Sequence, residues 1–106
     1  MVELAGVTGA AIVGRDGFVI ESVTSGDVDL EALGAIVSTG FGAAEIMGTE
    51  MKLGYLTQTM FEYDVGKILM ASCGDSVLAI VTDTSAVVGN VRHHIRKNIA
   101  ELAKLL

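Results

Sequence analysis

The sequence predicts an α/β (α+β) sandwich, a five-stranded antiparallel sheet with helical layers above and below it, and three observations carry that expectation. Apolar, β-branched runs flank Arg15-Asp16-Gly17, and Asp-Gly between such runs is a strong hairpin signal. Residues 10–13 and 77–81 are apolar without interruption, the pattern of strands covered on both faces. Residues 28–48 and the C-terminal stretch carry helical rather than alternating periodicity. With 106 residues, 51% of them hydrophobic, the chain is expected to form one domain over residues 1–106 with a real core.

Taken in order, the chain opens with a β-hairpin over residues 9–13 and 18–23. A polar connection, residues 24–27, leads into the long helix, which Asp27 or Asp29 can cap and whose positive end suits Asp29 and Glu31. Gly48 is a natural stop for that helix. Residues 55–63 then alternate, with Tyr55, Thr57, Thr59, Phe61 and Tyr63 on one side and Leu56, Gln58, Met60 and Glu62 on the other, as in a half-exposed strand. Tyr63-Asp64-Val65-Gly66 turns into a strand over residues 67–73, and Gly74-Asp75 turns into another over residues 76–82, which completes a meander. The two uninterrupted runs belong at the centre of the sheet, and the more polar residues 18–23 and 55–63 suit its edges. Thr84 or Ser85 can cap a last helix whose stripe is Val88, Val91, Ile95, Ile99, Leu102 and Leu106. Arg92, Arg96, Lys97 and Lys104 sit mostly toward its negative end, which reads as a solvated face matched to the helix dipole.

The long helix is the most informative element. Gly34, Gly40 and Gly42 lie in its interior, where each glycine costs about 1 kcal/mol relative to alanine, so something is expected to approach its backbone closely. Wound at roughly 100° per residue, the helix gathers Glu31, Gly34, Ser38 and Glu45 into a narrow polar wedge. Leu30, Leu33, Ile36, Val37, Phe41 and Met47 form a bulky side, and Ala32, Ala35, Thr39, Gly42, Ala43 and Ile46 a smoother one. A helix on one sheet needs an apolar stripe a little over about 100° wide. This helix has much more, so a second face is expected to be buried against another protein.

Composition and motifs narrow the function by exclusion. Seven Lys and Arg against 13 Asp and Glu give a formal charge of −6, which repels nucleic acid and anionic lipid. No apolar run approaches the roughly 20 residues that span a bilayer, and Met1-Val2-Glu3-Leu4-Ala5 lacks the pattern of a signal peptide, so the expected location is cytoplasmic, with no membrane insertion. The single cysteine, Cys73, reads as a buried, inert thiol. His93 and His94 are adjacent and point about 100° apart on a helix, so they do not share a metal and read as surface histidines. Gly40-Phe41-Gly42 starts like a dinucleotide fingerprint, but Glu45 stands at the third glycine position and the segment lies inside a helix. No Walker-type lysine motif or serine elbow occurs, and Asp16 reads as a turn residue. The expectation is no catalytic set, no metal and no cofactor.

Gly6-Val7-Thr8-Gly9-Ala10-Ala11-Ile12-Val13 followed by Arg15-Asp16-Gly17-Phe18-Val19-Ile20 resembles the opening hairpin of the roadblock/LC7 family. Leu53-Gly54, Gly66-Lys67-Ile68, Val77-Leu78-Ala79-Ile80 and Gly89-Asn90-Val91-Arg92 follow in family order, so the resemblance covers nearly the whole chain. These are small and apolar residues, which specify fold better than activity. The resemblance implies a profilin-like sheet with the long helix on one face and the terminal helix on the other. It also implies a homodimer in which third strands meet edge to edge and long helices pair. On that basis the dimer interface takes in Ala32, Ala35, Thr39, Gly42, Ala43 and Ile46 of the helix and Tyr55, Thr57, Thr59 and Phe61 of the strand. Family members regulate or scaffold Ras-like small GTPases or attach to dynein motors, and this compact form is similar to the prokaryotic GTPase-associated type. Many members carry a short helix before the Gly-Val element; here Met1 to Ala5 stands in that place.

The reading that results is a non-catalytic homodimeric regulator or scaffold that binds a Ras-like small GTPase and modulates its nucleotide cycle. Glu31, Gly34, Ser38 and Glu45 are the expected partner surface. Arg15, in the first turn, is the one basic residue placed for insertion into a GTPase, although turn arginines are commonly solvated. Two alternatives remain: a small-molecule-sensing module, for which the core offers few polar groups beyond Ser72 and Thr82, and a purely structural dimeric adaptor.

Overall fold

The computed structural model describes residues 6–24 and 29–104, with the side chains of the last helix through Lys97. The expectations placed on residues 1–5, on the connection through Asp27, on the side chains of Ile99, Leu102 and Lys104, and on Leu106 lie outside the described residues. The elements are β1 (Val7–Gly14), β2 (Val19–Thr24), α1 (Leu30–Glu50), β3 (Gln58–Tyr63), β4 (Gly66–Cys73), β5 (Ser76–Thr82) and α2 (Val88–Lys104).

The five strands form one antiparallel sheet in the order β2-β1-β5-β4-β3. The uninterrupted apolar runs lie in β1 and β5, inside the sheet, and the two more polar strands are its edges, as the composition required. Strand alternation sorts the core into two layers. Ile12, Leu69, Ala71, Leu78 and Ile80 pack with Val91 and Ile95 of α2, while Ala11, Val13, Met70, Val77 and Ala79 pack with Val37 and Phe41 of α1. A fully buried side chain such as Phe41, Leu69, Ile80 or Ile95 contributes about 1.5–3 kcal/mol of transfer free energy. The two helices therefore lie on opposite faces of the sheet.

Several boundaries differ from the sequence expectation, each for a local reason. Asp29 is the N-cap of α1, its carboxylate accepting from the Ala32 N–H at 3.1 Å, and the helix starts at Leu30 rather than residue 28. Gly48 does not end it. The Leu53 N–H donates to the Gly48 carbonyl and the Lys52 N–H to the Thr49 carbonyl, with Lys52 at φ +56°; these are the bonds of a Schellman motif closed by a lysine. Residues 55–57 precede β3 instead of opening it, so Tyr55 is fully exposed and Leu56 packs into the α1-side layer with Phe61, against the alternation expected for one strand. Neither Thr84 nor Ser85 caps α2, which begins at Val88. The Asp83 carboxylate accepts from the Ser85 N–H at 2.8 Å and the Ser85 hydroxyl at 2.6 Å instead, and these two bonds hold its pKa below the ordinary carboxylate range.

By length and composition α1, with 21 residues, is apolar enough to cross a bilayer, which corrects the expectation that no run comes near that. Its Leu33, Gly34, Val37 and Phe41 stripe covers the sheet and Glu31 and Glu45 stand on its flank, while Ile36, Ile46 and Met47 stay exposed.

Candidate protein-interaction surface

The roll of α1 about its own axis decides what the molecule presents outward, and the first hairpin turn sets that roll. Gly34 is buried, and a Cβ built on it would overlap the Gly17 carbonyl oxygen while lying 3.1 Å from the Gly17 carbonyl carbon and 3.2 Å from Val19 Cγ2. Gly17 in turn has φ +92°, a conformation that side chains rarely adopt. Two glycines thus meet where the turn seats on the helix. Close by, Arg15 Nη1 donates to Glu45 Oε1, and its guanidinium carbon stands 5.3 Å from the centroid of the Phe41 ring.

The polar wedge is consequently not an outward surface throughout. Gly34 leaves it, because its want of a side chain is explained inside the molecule by the β1–β2 turn, and the expectation that it marks an exposed approach site is corrected. Glu45 is engaged with Arg15, so the turn arginine is paired with its own chain in this structure. Ser38 Oγ donates to its own helix at the Ala35 carbonyl, 3.2 Å away, and Glu31 is exposed. Glu31, Ala35, Ser38 and Thr39 form the helix wall of an open groove of about 790 Å³ whose other wall is the turn and β2 from Asp16 to Ser22.

Away from the sheet, Ala32, Ala35, Thr39, Ala43 and Ile46 are exposed, and Gly42 is half-buried with nothing within 4 Å of the position a Cβ would take. Ile36 and Met47, grouped by sequence on the bulky side with Val37 and Phe41, are 63% and 65% exposed and join this stripe. The buried arc is centred nearer Gly34 than the bulky residues indicated, a rotation of roughly 45° at 100° per residue. Reading Gly34 as a sheet-facing residue would have found Ile36 and Met47; taking glycine as polar hid them. Of the expected strand residues, Tyr55 and Thr57 stand in the approach to β3, the Thr57 carbonyl accepting from the Ser72 N–H at 3.0 Å. Thr59 is half-buried, and Phe61 turns into the α1-side layer, so the edge of β3 offers backbone more than aromatic surface.

Among the described residues no group of three or more His, Cys, Asp or Glu could hold a metal. The His93 and His94 rings are 6.4 Å apart and nearly perpendicular. Cys73 is buried, which pushes its thiol pKa up. Thr82 Oγ1 donates to the Lys67 carbonyl at 3.4 Å, and neither it nor Ser72 lines the groove.

The molecule thus carries an exposed apolar stripe and an open groove on a two-helix, five-stranded frame. Residues 1–82 match the Roadblock/LC7 domain. The chain belongs to the roadblock/LC7 family. Among its roadblock relatives, the uncharacterized protein MJ0310 of Methanocaldococcus jannaschii is 44% identical over 87 residues, 82% of this chain and 76% of that protein. The gliding protein MglB of Thermus thermophilus matches in structure with a TM-score of 0.88 at 18% identity, over 97% of this chain and 80% of that one. MglB in a tetrameric arrangement gives 0.89 at 18% identity, over 97% and 79%. At these identities the structural likeness is one of fold: the same roadblock sheet between two helices.

Proposed function

We propose that this roadblock protein is a non-catalytic homodimer that binds a Ras-like small GTPase and modulates its nucleotide cycle. The observation that carries the reading is the outward stripe of α1, where Ala32, Ile36, Thr39, Ala43, Ile46 and Met47 are all exposed on a helix whose sheet-facing side is already satisfied. A small-residue, apolar helix face beside an unpaired strand edge suits isologous pairing, in which the same surface serves both copies. Gly42 fits that arrangement, because among the described residues nothing lies within 4 Å of the position its Cβ would take. The family resemblance supports both the dimer and the GTPase, and the tetrameric arrangement of MglB supports self-association as a habit of this fold.

In this reading the chemistry belongs to the GTPase. With Arg15 held on Glu45 and Phe41, the protein acts by binding one nucleotide state more tightly than the other, through the flank of α1 that carries Glu31 and Ser38. The net charge of −6 steers basic partners toward that flank and makes association weaken with salt. Light scattering after gel filtration tests the dimer, and titration calorimetry against a Ras-like GTPase of the same cell in its GDP and GTP-analogue states tests the rest. A monomer at micromolar concentration, or equal affinity for both states, overturns the corresponding half. Binding with unchanged hydrolysis and exchange would turn the protein into a structural adaptor.

A further inference from the structure

We infer that the groove between β2 and α1 takes an extended, basic and apolar segment of a partner protein, which adds to β2 as a sixth strand of the sheet. The inference rests on the reading above for the flank that meets the partner, and adds the form and chemistry of what docks there.

Three features of β2 converge on it. The strand is the terminal one in the sheet, paired only to β1, so its outer row of backbone donors and acceptors meets no strand among the described residues. Edge strands are commonly blunted by lysine, proline, other charges or bulges; β2, Val-Ile-Glu-Ser-Val-Thr, has no lysine or proline, and its one charge, Glu21, is of the sign that admits a basic strand. Instead it offers apolar side chains, with Phe18 75% exposed just before it, and Ile20 at 49% and Val23 at 61% along it. The one irregularity is a bulge: Ile12 pairs with Glu21 but Val13 with Val19, leaving Ile20 as the extra residue. The incoming strand therefore takes its register from Glu21 to Thr24, and its continuation passes over Ile20 and Phe18 into the groove.

The charge of the walls selects the occupant. Asp16 and Glu31 bring carboxylates to the groove, Glu21 borders it from the strand with its side chain on the Ile12 face by register, and among the described residues no lysine or arginine lines it. Arg15, the basic residue nearest in sequence, is drawn to Glu45. Asp16 Oδ1 accepts from the Phe18 N–H at 3.1 Å, which fixes the turn at the mouth. Main-chain bonds to the edge supply affinity, and side-chain pockets supply specificity, so the fitting sequence alternates Lys or Arg with aliphatic residues. A second copy of this chain is the poorer occupant: pairing β2 with β2 brings together two molecules of net charge −6, and the strand itself carries no lysine or arginine to offset it.

The test uses the full chain and an eight-residue peptide alternating lysine with valine, with a glutamate–valine peptide as control, followed by amide chemical shifts and calorimetry. The lysine peptide is expected to shift β2 amides and Phe18 and to outbind the control at least about tenfold, with affinity falling as salt rises. Glu21→Lys with Glu31→Lys should erase that preference, and Phe18→Ser should weaken binding by about tenfold; all three positions are exposed, so the fold is retained. Equal binding of the two peptides, shifts confined to β3, or affinity unchanged in both variants overturns the inference. Calorimetry of the same variants against the GTPase separates the two readings. A GTPase that binds while the peptide does not removes only the strand-addition mode, and a peptide that binds β2 while no GTPase binds removes only the GTPase.

Discussion

Replacing Gly34 by alanine is expected to destabilise the protein, while the same replacement at Gly42, two turns along the same helix, is expected to stabilise the single chain. Each removes a helix glycine and gains about 1 kcal/mol of helix propensity. At Gly42 nothing lies within 4 Å of the new methyl, so the gain stands. At Gly34 the methyl overlaps the Gly17 carbonyl oxygen and also crowds Val19 Cγ2 at 3.2 Å. The colliding atom is backbone in a turn whose φ of +92° leaves little latitude, so the hairpin must withdraw from α1. Overpacking of this kind costs about 1–3 kcal/mol, and withdrawal also loosens the Arg15–Glu45 pair, which being partly exposed contributes at most about 1 kcal/mol. The net is a loss of about 1–2 kcal/mol, or roughly 5–15 °C in Tm for a chain of this length. Urea unfolding followed by circular dichroism, repeated over a range of protein concentrations, measures both variants and separates the dimer's share. If Gly34→Ala is as stable as the parent, the turn does not seat on α1 and the roll assigned to the helix is wrong.

Other perturbations probe the remaining assignments. Ile46→Glu and Ala43→Glu should each give a folded monomer by light scattering, since an unpaired charge in a close helix contact costs several kcal/mol while the sheet-facing core is untouched; two variants that dimerise like the parent would refute the outward stripe as the interface. Lys52→Gly should raise stability by about 0.5–1 kcal/mol, because Lys52 holds a left-handed φ of +56° at the helix end, and thermal melts would show the gain. Cys73 should react with a thiol reagent only as the protein opens. Its raised pKa means that burial favours the thiol, so that contribution is whole below the ordinary thiol range and fades as pH rises through the raised value; rapid labelling of the native protein at pH 8 would contradict it.

Strand order and layering were legible because they depend on binary pattern. The uninterrupted Val77 to Val81 run can only be covered twice, and Asp16-Gly17 can hardly be other than a turn, so β5 and the first hairpin follow from local rules. Errors fell where a long-range contact or an unusual residue decides. Lys52 closes α1 because the Leu53 and Lys52 amides find the Gly48 and Thr49 carbonyls, whereas propensity favours glycine at such an end and pointed to Gly48. Tyr55 and Leu56 read as strand because they fit the alternation, and only the position of Leu56 under α1 shows that the chain has not yet entered the sheet. The candidate surface was half legible. Excess apolar area on α1 follows from counting residues, but its direction depends on the hairpin turn at Gly17, far upstream of Gly34 in sequence.

That dependence ties the fold to the proposed function. A helix on a sheet could roll until Ile36 or Met47 found cover, since both are apolar and both lie next to the buried arc. The Gly17–Gly34 contact opposes such a roll from one side, because a side chain at position 34 would separate turn from helix and Gly17 holds a φ that other residues rarely adopt. Arg15 opposes it from the other end by spanning Glu45 and the Phe41 ring. With the roll fixed, Ile36, Ala43, Ile46 and Met47 have no cover among the described residues, and the edge of β2 and the flank of α1 form the two walls of the groove. The first turn, which by its sequence is a plain hairpin, is thus the part of the molecule that sets how both proposed surfaces are presented.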